Sequence, residues 1–365
     1  MIPYAEPVYF GNEEKYVLDA VNSKWISGGD YVNKFETQLS DYLGRITITT
    51  SNGTSALELA YLSILGNANR SLCNVVVPAF GFMAAANVAK NLGLDVRFAD
   101  VDKYTWLIDT NKVKELVDDN TLAIVAIHSY GNVCNIEDIK YQVKDHCCAF
   151  VIEDCAESLF SRSNDKEAGT LGDISTFSFH ATKTITTGEG GAFATDNLNI
   201  LRAAKLIKNH GLAERGNYNH TTYGMNFRMS NLNAALGVAQ FENKYQVYTK
   251  KRNLNDMYLD RLWMNSDIEF QLVDDSCVPC MWATAIKLGE SYPSNDKIVE
   301  AMKNAGVEIR PGFISPNYLN LFGNKHIDTP IADELSRRVI SLPCSMALDE
   351  NDVRYICDTL LRLRK

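Results

Sequence analysis

"LAIVAIHSYGNVCNIEDIKYQVKDHCCAFVIEDCAE" (residues 122–157) decides the fold. An apolar run (122–131) is followed by a helix-period segment (135–146) and then by a second apolar run (149–157). A short buried strand, a helix and another short buried strand form a crossover unit, whose two strands lie parallel under the helix. The pattern continues on both sides. "NVVVPAF" (74–80), "DVRFADVD" (95–102), "ISTFSFH" (174–180) and "GAFATD" (191–196) read as strands, and "SALELAYLSIL" (55–65) and "AAANVAKNLG" (84–93) as helices. This alternation predicts an α/β protein with a mainly parallel sheet flanked by helices on both faces.

Further on, "SNLNAALGVAQFENKYQVYTKKRNLNDMYLDRLW" (230–263) predicts one long helix, with Ser230 as its N-cap and Gly237 as its only breaker. A strand near "MWATAIKL" (281–288), a helix at "SNDKIVEAMKNAG" (294–306) and a last helix over 349–364 follow. That part reads as a smaller α+β C-terminal domain. The expected boundary lies near 245, giving a large domain over 1–245 and a small one over 246–365. A chain of 365 residues is long enough for both.

Charge and composition narrow the function. A net charge of −9 and a pI of about 5.3 disfavour nucleic acid and anionic membrane as partners. No apolar run of about 18 residues suggests a membrane span, and "MIPYAEPVYFGNEEKY" (1–16) lacks the basic and apolar regions of a signal peptide. Nine scattered cysteines, an odd number, imply reduced thiols. "CVPC" (277–280) has no second ligand pair, as a zinc ribbon would need, so Cys277 and Cys280 read as structural thiols and no metal is expected. A cytoplasmic protein is the expectation.

Ligands of open parallel sheets sit at the carboxyl ends of strands. The polar residues there are Ser51, Asn52, Gly53, Thr54, Asp100, His128, Asp154, Glu157 and Lys183. In "TTSNGTSALELA" (49–60) a strand ends in a small-residue turn and a helix begins. Gly53 permits close approach of a ligand, and the Thr54 and Ser55 amides would form an anion cradle; ordinary helix capping explains the same residues. A Walker A loop and a GxGxxG fingerprint are both missing, and "GEGGAF" (188–193) fits neither. Asp154 ends an apolar strand and needs a cationic or hydrogen-bonding partner, unless its pKa rises. Lys183 follows a strand bearing Phe177 and Phe179. It is either a solvated end charge or a partly desolvated amine able to form a Schiff base. Amine, acid and anion cradle together suit pyridoxal 5'-phosphate, whose aldehyde, pyridine nitrogen and phosphate need these three groups. Phe82, in "PAFGFMAAANVA" (78–89), offers an aromatic face for the ring, although a strand-end Phe is core by default.

Six segments carry a resemblance across the whole chain: "WISGGDYVNKFE" (25–36), "SNGTSALELA" (51–60), "VIEDCAES" (151–158), "GDISTFSFHATKTITTGEGG" (172–191), "YGMNFRMSNLNAALGVAQFE" (223–242) and "EIRPGF" (308–313). In content and order they resemble the DegT/DnrJ/EryC1/StrS group of pyridoxal-phosphate sugar aminotransferases, of type I aminotransferase fold. The resemblance implies that Lys183 is the Schiff-base lysine, that Asp154 pairs with the pyridine nitrogen and that Phe82 stacks on the ring. It implies that Gly53, Thr54 and Ser178 hold the phosphate. Asn226 would reach the phosphate of a partner subunit, which implies a homodimer. Glu157 would lie close to the ring hydroxyl and is expected to be protonated or turned aside.

One branch of the group removes a sugar hydroxyl and carries His in place of the lysine. Here Lys183 occupies that place and His180 lies three residues earlier, so transamination is the reading. The resemblance is greatest to the branch that aminates C4 of nucleotide-linked 4-keto-6-deoxyhexoses for surface polysaccharides, with L-glutamate as donor. "PAFGF" (78–82), "IRPGFISPN" (309–317) and the loop "GLAERGNYNHTTYGMN" (211–226) depart from that branch, with Asn219 standing where it favours an aromatic. A smaller phosphorylated ketone, and sister dehydration or epimerisation chemistry, therefore remain alternatives. A regulator of this fold would need an added DNA- or sensor-binding segment, and the chain has no extra basic domain. Trp25, His210, Arg228 and Arg310 are candidate substrate or donor contacts, against packing for the Trp and surface ion pairing for the arginines.

Overall fold

A computed structural model describes residues 1–66, 73–144, 149–213, 217–322 and 326–365. Helices α1 (Glu13–Asn22) and α2 (Asp30–Leu43) precede β1 (Thr47–Thr50). Helix α3 (Gly53–Leu65) leads to β2 (Asn74–Pro78), and α4 (Ala84–Asn91) to β3 (Asp95–Ala99). Helix α5 (Thr110–Leu116) leads to β4 (Thr121–Ile127), and α6 (Ile136–Val143) to β5 (Phe150–Asp154). The last two residues of the helix expected over 135–146 lie outside the described residues. Short strands β6 (Arg162–Ser163) and β7 (Lys166–Glu167) come before β8 (Ile174–Ser178), β9 (Gly191–Ala194) and α7 (Leu198–Lys208).

Seven strands form one sheet in the order β1-β9-β8-β5-β4-β2-β3. The β3, β2, β4, β5 and β8 neighbours are all parallel, as the alternating pattern predicts. Strands β2 and β4 are buried at every residue, which fits cover on both faces. Strand β9 is the exception, antiparallel to both β8 and β1. Residues 179–190 contain no helix to carry the chain back across the sheet, so it reverses beside β8. Lys183 lies in that return loop.

The single helix expected over 230–263 is two, α8 (Asn231–Glu242) and α9 (Lys244–Leu262). Asn243 leaves the helical region (φ −102°, ψ 19°), its N–H donating to Gln240 O and its side chain to Ala239 O. A short amide side chain competing for backbone acceptors is a common way to end a helix. Apart from Val247, which stays with the core of α8, the two halves serve different cores. Ala234, Val238 and Phe241 of α8 pack with Phe35, Phe177 and Phe179. Leu254, Tyr258 and Leu262 of α9 join Ile286, Ile340 and Ile356.

That second core belongs to a four-stranded antiparallel sheet in the order β10-β12-β14-β13. Its strands are β10 (Ile268–Phe270), β12 (Ala285–Leu288), β13 (Arg310–Pro311) and β14 (Val339–Ser341), while β11 (Cys277–Val278) pairs instead with β6. Helices α10 (Asn295–Asn304), α11 (Pro330–Arg338) and α12 (Glu350–Leu361) complete this α+β part. The first residues of the chain join it: Ile2 bridges Val307, and the Tyr4 N–H donates to Glu308. Asp100, after β3, fastens it to the large sheet by accepting the Ile331 (3.0 Å) and Ala332 (2.9 Å) N–H groups of α11.

Candidate active site

Pairing of β4, β5 and β8 sets Ile127, Asp154 and Thr176 side by side at the carboxyl edge of the sheet. Strand alternation sends Asp154 and Glu153 to opposite faces. Glu153 is fully buried and collects the N–H groups of Gly169 (2.9 Å), Leu171 (2.8 Å) and Gly172 (2.6 Å), plus His128 Nε2 (3.0 Å). Burial alone would raise its pKa; His128 and the amides hold it below the ordinary carboxylate range. His128 Nδ1 accepts the Cys134 N–H, so Nε2 carries the proton given to Glu153.

Cys155 Sγ shares a space within 4.8 Å with these two side chains. Protein hydrogen bonds already engage the His and the carboxylate, and burial pushes the thiol up to about 11, away from the thiolate a metal requires. His128 and Asp100, both strand-end candidates, thus hold the fold together.

Asp154 is different. Its carboxyl is buried, accepts the Ala156 N–H (3.1 Å) and is pushed up to about 6, chiefly by burial, with nearby Lys183 pulling the other way. Lys183 Nζ lies 3.2 Å from Glu157 Oε1, its side chain 15% exposed. The other Glu157 oxygen accepts the Tyr130 N–H at 2.8 Å. Glu157, expected protonated or turned aside, therefore faces two donors. The amine also sits over the Trp282 ring, 4.1 Å from its centroid. Tyr130 holds a left-handed backbone (φ 62°) while fully buried, a conformation that costs free energy in a non-glycine residue.

The anion cradle takes shape at the start of α3. Asn52 caps the helix by accepting the Ser55 N–H at 2.8 Å, so the Ser55 amide expected to face a ligand is already taken. Helix geometry leaves the Gly53 and Thr54 N–H groups without intrahelical acceptors. A Cβ on Gly53 would stand 2.8 Å from Ser178 Cβ, so glycine keeps this corner open and brings Gly53, Thr54 and Ser178 together. Phe82 projects beyond β2 and is 63% exposed, which removes it from the core and leaves its face open.

The remaining candidates fall into separate places. Trp25 and Arg228 line one cleft of about 480 Å³ with Glu36 and Lys208; neither Lys183 nor Asp154 lines it. Asn226 sits beside Arg228, accepting its Nε at 3.0 Å, and Arg228 Nη1 donates to Asn209 Oδ1 at 2.9 Å. His210 has a left-handed backbone, its carbonyl accepting from His220 Nδ1 at 2.8 Å. Arg310 lies 4.3 Å over the Tyr4 ring. Glu214, Arg215 and Gly216 of the 211–226 loop are outside the described residues. Cys277 and Cys280 are buried free thiols, the latter pushed up to about 12 by burial.

Sequence reasoning missed Trp282 and Tyr130. The polar roster that found Asp154 and Lys183 had no reason to include either, and Trp282 comes from the far part of the chain. No helix among the described residues is long and apolar enough to cross a membrane.

A mainly parallel sheet whose return loop sets a lysine on one carboxylate and near a second, beside an open helix N-terminus, is the setting of an aminotransferase site. Residues 10–361 match the DegT/DnrJ/EryC1/StrS aminotransferase family, and the chain belongs to it. It is 34% identical to the GDP-perosamine synthase of Escherichia coli O157:H7 over 361 residues, 98% of this chain and 97% of that one. It is 33% identical to the GDP-perosamine synthase of Vibrio cholerae, covering 99% of this chain and 98% of the other. Among solved structures it resembles Helicobacter pylori PseC, an aminotransferase involved in the biosynthesis of pseudoaminic acid, with a TM-score of 0.92, 25% identity, and coverage of 100% of this chain and 99% of that one.

Proposed function

We propose that this protein moves the amino group of L-glutamate to the C4 keto carbon of a nucleotide-linked 4-keto-6-deoxyhexose, with pyridoxal 5'-phosphate as cofactor, in surface polysaccharide biosynthesis. The observation that carries the reading is the Lys183 amine, 3.2 Å from Glu157 and beside the buried Asp154 carboxyl. Kinship with the two GDP-perosamine synthases supports the sugar class.

The residues present fit the cofactor. A buried carboxyl pushed up to about 6 is one that a cationic ring nitrogen would stabilise as the anion. The corner at Gly53, which a Cβ would close, suits a phosphate. When bound, the cofactor supplies an electron sink for negative charge on the donor Cα. Asp154 then keeps the ring nitrogen protonated. Lys183 Nζ takes the proton from the donor Cα and later returns a proton to C4 of the sugar. Glu157 Oε1 receives the amine between these transfers and aims it. Gly53 and Thr54 amides and the Ser178 hydroxyl bind phosphate, and Phe82 covers one ring face.

Asn226 reaches the phosphate of a second copy, so the working unit is a homodimer; its place beside the Trp25 and Arg228 cleft, which Lys183 does not line, supports this. Trp25, His210, Arg228 and Arg310 meet the substrates. Residues 1–245 carry the cofactor and 246–365 supply Arg310 to the site. The buried free thiols suit the cytoplasm.

The test is turnover followed by mass spectrometry, with glutamate as donor and GDP-, dTDP- and UDP-linked 4-keto-6-deoxyhexoses and small phosphorylated ketones as acceptors. One nucleotide sugar should gain an amino group as 2-oxoglutarate forms in equal amount. Amination of a small ketone alone, or a dehydrated or epimerised sugar without 2-oxoglutarate, would overturn the proposal.

A further inference from the structure

We propose that Trp282 is a positioning residue for the Lys183 amine, clamping this lysine at its backbone and at its tip. The inference rests on the reading of Lys183 as the reacting amine. The indole Nε1–H donates to Thr182 O, the carbonyl immediately before Lys183, at 2.6 Å. The face of the same ring lies 4.1 Å from Lys183 Nζ. One side chain thus fixes where the lysine starts and where it ends.

Trp282 is itself held on every side. Its N–H donates to Tyr130 O at 2.8 Å. Its carbonyl accepts from Lys251 Nζ at 2.9 Å, and that buried ammonium also donates to Cys344 O at 2.8 Å. Gly131 makes the docking sterically open: a Cβ there would stand 2.4 Å from Cys280 O and 2.7 Å from Met281 Cα. The indole stacks on Tyr130 (6.4 Å, 12°) and meets Tyr4 edge-on (6.1 Å, 69°).

Tyr130 therefore supports both neighbours of the amine, its N–H on Glu157 and its carbonyl on Trp282. The left-handed backbone of Tyr130 gains a purpose from this. A lysine has a long, rotamer-rich side chain, and a negative indole face together with a carboxylate 3.2 Å from Nζ favours one direction and the charged amine. The other titratable groups near the amine are Asp154, on the β5 side, and Cys344, with Glu6 and Lys251 lining the small space behind the loop.

The experiment uses cofactor-free protein: native, W282F and W282L, each checked for folding by circular dichroism. Amines are labelled with acetic anhydride over a pH series, and the Lys183 peptide is quantified by mass spectrometry. The ratio of the rate at pH 8 to the high-pH plateau cancels access and reports the neutral fraction. Loss of the aromatic face in W282L should raise that ratio by roughly 5-fold, while W282F, which keeps a face, should stay within about 2-fold of native. An unchanged ratio in W282L overturns the clamp.

Should W282L not fold, indole emission decides. The Trp282 contribution, taken as native minus W282F, should differ from that in a K183M background (K183M minus K183M/W282F); identical contributions overturn the clamp. A native protein whose Lys183 never gains a pyridoxyl mass would defeat the reading of Lys183 instead, and leaves the labelling result standing.

Discussion

Asp154 shows at one residue how a site is kept ready at a cost to the fold. Its carboxyl titrates near 6 in the folded chain against an ordinary 3.8. The unfolded chain therefore ionises first, and stability falls as pH rises from about 4 to about 6. The loss amounts to about 3 kcal/mol at neutral pH. Denaturant unfolding of the cofactor-free protein should show D154N more stable than native by about that much at pH 7 and equal to it near pH 4. No gain at pH 7 would mean that the carboxyl is not burdened by burial. Asp154 and Lys183 were legible in the sequence because one ends an apolar strand and the other closely follows one, where a charge needs a reason. Glu153, the neighbour, was not: its partners are backbone amides at 169, 171 and 172, which no side-chain pattern announces.

At the scale of elements, the turn into α3 joins a helix cap and two open amides in one stretch. Asn52 caps the helix, leaving Gly53 and Thr54 to face outward. G53A should weaken binding of pyridoxal 5'-phosphate by more than about 10-fold, read by quenching of protein emission, because its methyl would press on Ser178. N52A instead should cost about 1 kcal/mol of stability, read in denaturant. Equal cofactor affinity in G53A and native protein would remove the cradle.

The parallel strands were readable from their short apolar runs. The reversal of β9 was not, since direction depends on whether a helix fits into residues 179–190. Nor was the break at Asn243: no proline or glycine marks it, and the division of α8 and α9 between two cores is a tertiary fact.

At the scale of the whole molecule, Trp282 comes from beyond α9 to meet the Lys183 amine, while Asn226 lies beside a cleft that Lys183 does not line. If Asn226 serves a second copy, K183A and N226A are each impaired alone, and mixed dimers regain activity at the one site with both native residues. Mixtures no more active than the two variants measured separately would place Asn226 in its own subunit's site or outside it.

The central claim, that Lys183 is the amine that binds the cofactor aldehyde and moves protons between donor and acceptor, has a direct measurement. Protein loaded with pyridoxal 5'-phosphate is reduced with borohydride before and after addition of L-glutamate, and the modified peptide is mapped. The expected result is a pyridoxyl mass on Lys183 before glutamate, and its disappearance afterwards with release of 2-oxoglutarate. A label on another lysine, or a Lys183 label that glutamate does not remove, would contradict the account.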